Sequence, residues 1–147
     1  MDFTCANLKG TKAYFFILLF LPIFFYGQSA TIIKNVSTAD FKKEVDSNKG
    51  VLIDLRTNDE IASKGKIKGA TQIDYFSKGA EAEILKLDKS KTYLVYCAGG
   101  GRSSEAAALM SKNGFKEVIN LEKGFGDWQK NGLEIEKLPT ESTKAEK

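Results

Sequence analysis

Histidine is absent from this chain of 147 residues. Its absence removes His-ligated metal sites and every serine or cysteine nucleophile that relies on an imidazole base. Cysteine is nearly absent too: Cys5 and Cys97 are the only two, too few for a zinc or iron–sulfur site. No metal and no other cofactor is therefore expected. The formal net charge is only +3 and evenly spread, which leaves no basic footprint for nucleic acid. No internal repeat is visible, and no long apolar run occurs beyond the first thirty residues.

What is present is ordinary for one globular domain: 42% hydrophobic and 28% charged residues, on a chain long enough to bury a core without staples. Residues 1–29 read as a signal peptide. Lys9 and Lys12 form a positive region, Ala13 to Tyr26 is almost continuously apolar, and Gly27-Gln28-Ser29 offers small residues before a cut. The apolar run is shorter than the roughly 20 residues of a membrane span. The expected location is outside the cytoplasm, in the periplasm; the rival is an uncleaved membrane anchor over residues 13–26. Cys5 precedes the apolar run, so no lipoprotein acceptor cysteine follows it. A mature chain then holds one thiol, Cys97, which has no partner for an internal disulfide. A buried inert cysteine is the bland reading of that count.

Taken in order, Thr31 to Val36 reads as a short strand, and Ser37-Thr38-Ala39-Asp40 opens a helix with a capping-box-like pattern. Phe41 and Val45 share one helical face, and Asn48 to Gly50 ends that helix. Val51 to Leu55 is an apolar run interrupted by one acid, suited to a strand covered on both faces. A short helix over Asp59 to Ser63, a glycine-punctuated loop over Lys64 to Gly69 and a small strand over Ala70 to Asp74 follow. Ala80 to Leu87 reads as helix, Thr92 to Tyr96 as strand, Ser104 to Asn113 as helix and Glu117 to Leu121 as a fifth strand. Gly124 to Lys130 supplies helical turns carrying Trp128, Leu133 to Glu136 is a weak strand or extended segment, and Pro139 onward is a polar tail expected to be disordered. This alternation predicts an α/β domain over residues 30–138, a mainly parallel sheet of about five strands with helices on both faces. Ligand sites in such folds form at the carboxyl ends of strands, where Cys97 falls.

The stretch Cys97-Ala98-Gly99-Gly100-Gly101-Arg102-Ser103 carries the chemistry. A thiolate is the reactive form of cysteine, and an unperturbed thiol at about pKa 8.5 is largely protonated near neutrality. A helix beginning near Ser103 would direct its dipole at the loop, and consecutive glycines could curl the backbone into an anion nest. The dipole is worth roughly 0.3–1 kcal/mol, and up to about 2 when partly buried. Hydrogen bonds to a charged group are worth about 1.5–3 kcal/mol each, so the nest outweighs the dipole once two form. Arg102 would pair with an anionic substrate through two N–H groups. A merely flexible turn is the alternative. The spacing fits neither a dinucleotide fingerprint nor a phosphate loop, since no Gly-Lys-Ser/Thr follows.

Several motifs in order make the stretch Val36 to Leu133 resemble the rhodanese (sulfurtransferase) family in its single-domain form. Asp54-Leu55-Arg56 with Glu60 resembles its first signature, Gly65-Lys66-Ile67-Lys68-Gly69-Ala70 its second, and Cys97 to Ser103 its Cys-x-x-Gly-x-Arg-Ser active loop. Val118 to Leu121, Gly124, Trp128 and Gly132-Leu133 match its closing pattern. Lys66 stands where the family usually has histidine, and Ala98 where many members carry arginine. The resemblance implies sulfur transfer: Cys97 as nucleophile, a persulfide intermediate, a small anionic donor such as thiosulfate, and cyanide or a thiol, including a protein thiol, as acceptor. Ala98, Gly99, Gly100, Gly101, Arg102, Ser103 and Arg56 are the expected substrate-binding residues. Asp54 is expected as structural support, in an ion pair that competes with the pocket role for Arg56. Two rivals stand beside this reading. One is a non-catalytic binding module. The other is a cysteine phosphatase or arsenate reductase, whose loops place arginine six positions after the nucleophile, whereas Arg102 lies five after Cys97.

Overall fold

Local signals set where each element starts and stops. In the computed structural model, residues 30–138 are described; the expected signal peptide over 1–29 and the expected tail over 139–147 lie outside the described residues. The elements run β1 (Ile32–Val36), α1 (Thr38–Ser47), β2 (Val51–Asp54), α2 (Asn58–Lys64), β3 (Thr71–Gln72), α3 (Ala80–Leu85), β4 (Thr92–Tyr96), α4 (Gly101–Lys112), β5 (Glu117–Leu121) and α5 (Gly124–Lys130). Ser37 Oγ accepts from Asp40 N at 3.2 Å and caps α1, and Asn48 ends that helix in the left-handed region at φ 52°. Both ends therefore satisfy orphan backbone groups from residues the sequence places there.

The five strands form one sheet in the order β1-β5-β4-β2-β3, and every pairing is parallel. All the carboxyl ends consequently lie along one edge. Side chains alternate faces with period two. Tyr93, Val95 and Cys97 turn to a core shared with Ala80 and Ile84 of α3 and Ala106, Ala107 and Met110 of α4. Leu94 and Tyr96 turn the other way, to a core with Phe41 of α1 and Phe125 and Trp128 of α5. Helices thus cover both faces, which explains why β2, β4 and β5 read as continuous apolar runs rather than alternating ones. Tyr96 and Trp128 are core residues of the second face.

Two expected strands are shorter than their sequence patterns. The Ala70 to Asp74 run, at the sheet edge, pairs only through Ile53↔Thr71 and Asp54↔Gln72. Leu133 to Glu136 is extended but makes a single antiparallel bridge, Lys66↔Glu136, rather than joining the sheet. Lys66 itself folds over its own loop, donating from Nζ to Ala70 O at 2.9 Å.

Candidate active site

Cys97 is the first residue after β4 and is 1% exposed. Its burial follows from the strand register, which points Sγ beneath the start of α4 rather than into solvent. Helix α4 begins at Gly101, with Gly100 as its N-cap, two residues earlier than the expected start near Ser103. The connection is therefore only Cys97, Ala98, Gly99 and Gly100. Ser103 stands in the third helical position instead of at the cap, and its hydroxyl turns back, 3.1 Å from Gly100 O and 3.6 Å from Cys97 Sγ.

The loop is pinned on its outer side through its carbonyls. Phe125 N donates to Cys97 O at 2.7 Å, and Gly126 N donates to Ala98 O at 3.0 Å. The first turn of α5 thus holds the outer side of the loop, and Gly100 N donates to Cys97 Sγ at 3.1 Å. The close approach of loop and helix demands glycine at two points. Gly100 has φ 97°, and a Cβ there would lie 1.9 Å from Glu122 O; Gly124 has φ 62°, and a Cβ there would lie 2.6 Å from Gly99 N. Gly99 and Gly101 carry no such requirement, since a methyl group at either would meet nothing within 4 Å. Of the three loop glycines expected to build the nest, only Gly100 is sterically compelled.

Burial alone would push the Cys97 thiol up. The Ser103 hydroxyl and the backbone N–H groups of Ser103, Gly99 and Gly100 outweigh it and hold the thiol below its ordinary value. The stabilisation comes from hydrogen bonds to the charged form, with no basic side chain acting as proton acceptor. That is the activation that a chain without histidine has to use.

Arg102 does reach the loop, but its fork is not free. Nη1 donates to Glu60 Oε2 at 2.8 Å and Nη2 to Glu60 Oε1 at 2.7 Å, with a longer contact from Nη1 to Leu55 O at 3.4 Å. Glu60 is fixed by its own helix: Thr57 N donates to Oε2 at 2.9 Å and Glu60 N donates to Thr57 Oγ1 at 3.3 Å, a complete capping box. The Arg102 hydrogen bonds, against the opposing effect of burial, bring the Glu60 carboxyl down to about 2. The sulfur in turn helps keep Arg102 charged. On its outer side the guanidinium faces Phe76, 5.1 Å from the ring centroid, and Phe76 is 71% exposed. Neighbouring Tyr75 donates to Glu105 of α4 at 3.0 Å. Glu60 and Arg102 fall within the expected motifs, whereas Tyr75, Phe76 and Glu105 lie outside them. The Thr57-Asn58-Asp59-Glu60 box was a signal for where the Glu60 carboxylate sits, but nothing local tied it to Arg102.

Arg56, expected among the substrate-binding residues beside an ion-pair alternative, lies buried away from the Cys97 loop. It is 1% exposed, its Nε and Nη2 hold the Asp54 carboxylate at 2.6–3.2 Å, and Nη2 also donates to Gly65 O at 2.8 Å. Its guanidinium lies 3.7 Å from the Phe125 ring centroid and 5.6 Å from that of Tyr96, among the residues of the α1/α5 face, opposite the face that holds Cys97. The expected Asp54–Arg56 ion pair is thus present and fully buried. Among the described residues no group of three or more histidine, cysteine or acidic side chains is gathered for a metal.

Comparison with known proteins agrees with this geometry. The Rhodanese-like domain family matches residues 37–131. A sulfurtransferase of Allochromatium vinosum is 32% identical over 90 residues, covering 61% of this chain and 81% of that protein. YrkF of Bacillus subtilis is 33% identical over 102 residues, and the match covers 69% of this chain but only 54% of that longer protein. The crystal structure of a rhodanese-like domain protein from Staphylococcus aureus superposes with TM-score 0.58 at 31% identity, over 70% of this chain and 98% of that one. A sheet of five parallel strands, a cysteine at the end of the middle one and a matching family over most of the described residues lead to one conclusion: the chain belongs to the rhodanese-like family.

Proposed function

We propose that this chain is a sulfurtransferase that carries a sulfane sulfur from a small anionic donor, such as thiosulfate, to cyanide or a thiol through a persulfide on Cys97. The observation that carries the reading is Cys97 Sγ held 3.1 Å from Gly100 N at the start of α4, with its thiol lowered by surrounding hydrogen bonds despite burial. The thiolate attacks the outer sulfur of thiosulfate. A new S–S bond to Cys97 forms as the bond to the sulfonate sulfur breaks, and sulfite leaves with the electron pair. The Cys97 persulfide anion keeps the loop N–H groups as its partners. Cyanide or a thiolate then attacks the outer sulfur, and the Cys97 thiolate is regenerated. This is covalent catalysis in an anion hole made of backbone.

The short loop supports a single sulfur atom over a tetrahedral oxyanion as guest. Phosphatase chemistry would call on Arg102 to fork an oxyanion, and that fork is occupied by Glu60. Thiosulfate:cyanide sulfur transfer by the mature protein, run beside Cys97→Ser, tests the proposal. Wild type should turn over and gain the mass of one sulfur atom after donor treatment, and Cys97→Ser should do neither. Failure of wild type with every sulfane donor tried would remove the enzymatic reading and leave a binding module. The pattern of residues 1–29 supports export to the periplasm. Amino-terminal sequencing of protein recovered from that compartment should start close to Ala30; an intact apolar stretch over residues 13–26 in the membrane fraction would favour the anchor.

A further inference from the structure

Arg102 is the one cation that the active loop itself supplies, and it meets Glu60 before it meets any donor. Both oxygens of that carboxylate are engaged, at 2.7 and 2.8 Å, in the two-pronged geometry that arginine otherwise uses on an anionic substrate. The capping box holds the carboxylate on the α2 side of the pair, and Phe76 stands over the guanidinium on another. Ala98 adds no second positive charge. The thiolate, Glu60 and Arg102 together therefore leave the site with net negative charge.

We infer that Glu60 is a positioning residue for specificity: by neutralising Arg102 it makes the site select singly charged sulfane donors over doubly charged ones. The inference rests on the sulfur-transfer reading above and deepens it. Two donors of the same chemistry separate the charges. Thiosulfate delivers its outer sulfur to the Cys97 thiolate and departs as sulfite, both carrying two negative charges. Methanethiosulfonate has a methyl group in place of one anionic oxygen; it delivers the same sulfur and departs as methanesulfinate, both carrying one. In each case the sulfur–sulfur bond of the donor breaks, the new one forms on Cys97, and no outside oxidant or reductant is needed.

The test is the ratio of kcat/KM for the two donors, with cyanide as acceptor, in wild type and Glu60→Gln. Glutamine is accepted at this capping-box position, so the substitution removes charge while leaving the helix start in place. A ratio taken within one protein preparation cancels any difference in folded or active fraction. Freeing the Arg102 fork and its positive charge for the more highly charged donor should move the ratio toward thiosulfate by on the order of tenfold at low salt. The shift should disappear when Arg102→Gln is added, because Glu60 acts through that residue. A ratio that stays within about twofold, or a shift that survives without Arg102, overturns the inference while sulfur transfer stands. No transfer from either donor in wild type instead overturns the proposed function. If Glu60→Gln does not fold, Glu60→Asp, one methylene shorter and unable to span Thr57 and Arg102 together, should shift the ratio in the same direction by a smaller factor; no shift there counts against the inference.

Discussion

Ser103 has one hydroxyl proton and two acceptors within reach, Gly100 O at 3.1 Å and Cys97 Sγ at 3.6 Å. While the thiol is protonated, the carbonyl is the better acceptor. Once it ionises, turning the proton to sulfur gains a charge-assisted bond worth about 1.5–3 kcal/mol. Ser103→Ala removes that option. The pH midpoint for alkylation of Cys97 by a small reagent, held down in wild type by the hydrogen bonds to the sulfur, should then move upward. Because the thiolate is what reacts, alkylation near neutral pH should slow by about tenfold. An unchanged pH profile would mean that the backbone alone does the activating. The glycines give a second residue-scale contrast. Gly100→Ala forces a methyl 1.9 Å from Glu122 O at φ 97° and should cost about 1–3 kcal/mol in urea unfolding, with loss of activity. Gly101→Ala, in the first turn of α4 with open space around it, should be neutral or stabilising by up to about 1 kcal/mol.

At the scale of elements, the start of α2 and the start of α4 are coupled through Glu60 and Arg102. Glu60 sits at about 2 in the folded protein against an ordinary value of 4.5, chiefly because of the Arg102 hydrogen bonds. A lowered carboxyl stabilises the fold fully above its unfolded value and loses that contribution as pH falls through its folded value. The difference in thermal midpoint between wild type and Glu60→Gln should therefore be largest above pH 4.5 and shrink toward pH 2. The side chains are 31% and 15% exposed, so solvent screening limits the effect to about 1 kcal/mol. A difference that does not change with pH would assign the stabilisation to the capping box rather than to the ion pair. Helix α4 also starts earlier than expected. The observed cap is Gly100 rather than a residue near Ser103, and Ser103 sits in the first turn with its hydroxyl directed at Gly100 O and the sulfur.

Across the described residues, the sheet separates the Cys97 loop from the buried Asp54–Arg56 pair. Cys97 and the start of α4 occupy one face, and Arg56, Asp54, Tyr96 and Phe125 brace the other. Removing one partner of a buried ion pair typically costs about 3–5 kcal/mol, because the other charge is left without compensation. Arg56→Ala should show that loss in urea unfolding while leaving the choice between sulfur donors unaltered in the folded fraction. The double change Asp54→Asn with Arg56→Met should recover part of the stability. A selective rise in donor KM for Arg56→Ala, with stability unchanged, would return Arg56 to the binding site.

The sequence alone determined what depends on neighbours a few residues apart: the alternation of strands and helices, the capping of α1, the apolar strands covered on both faces, and a cysteine at a strand end followed by a glycine turn and a helix. The Asp54–Arg56 pair was legible for the same reason, being two residues apart. Tertiary structure decided the rest. The sheet order brings together Glu60 and Arg102, 42 residues apart, and packs Gly100 against Glu122 and Gly124 against the loop. No local period or propensity encodes those meetings. They arise when crossover helices lay α2, α4 and α5 along the same edge of the sheet, and steric fit and charge pairing then decide what each side chain of the Cys97 loop can reach.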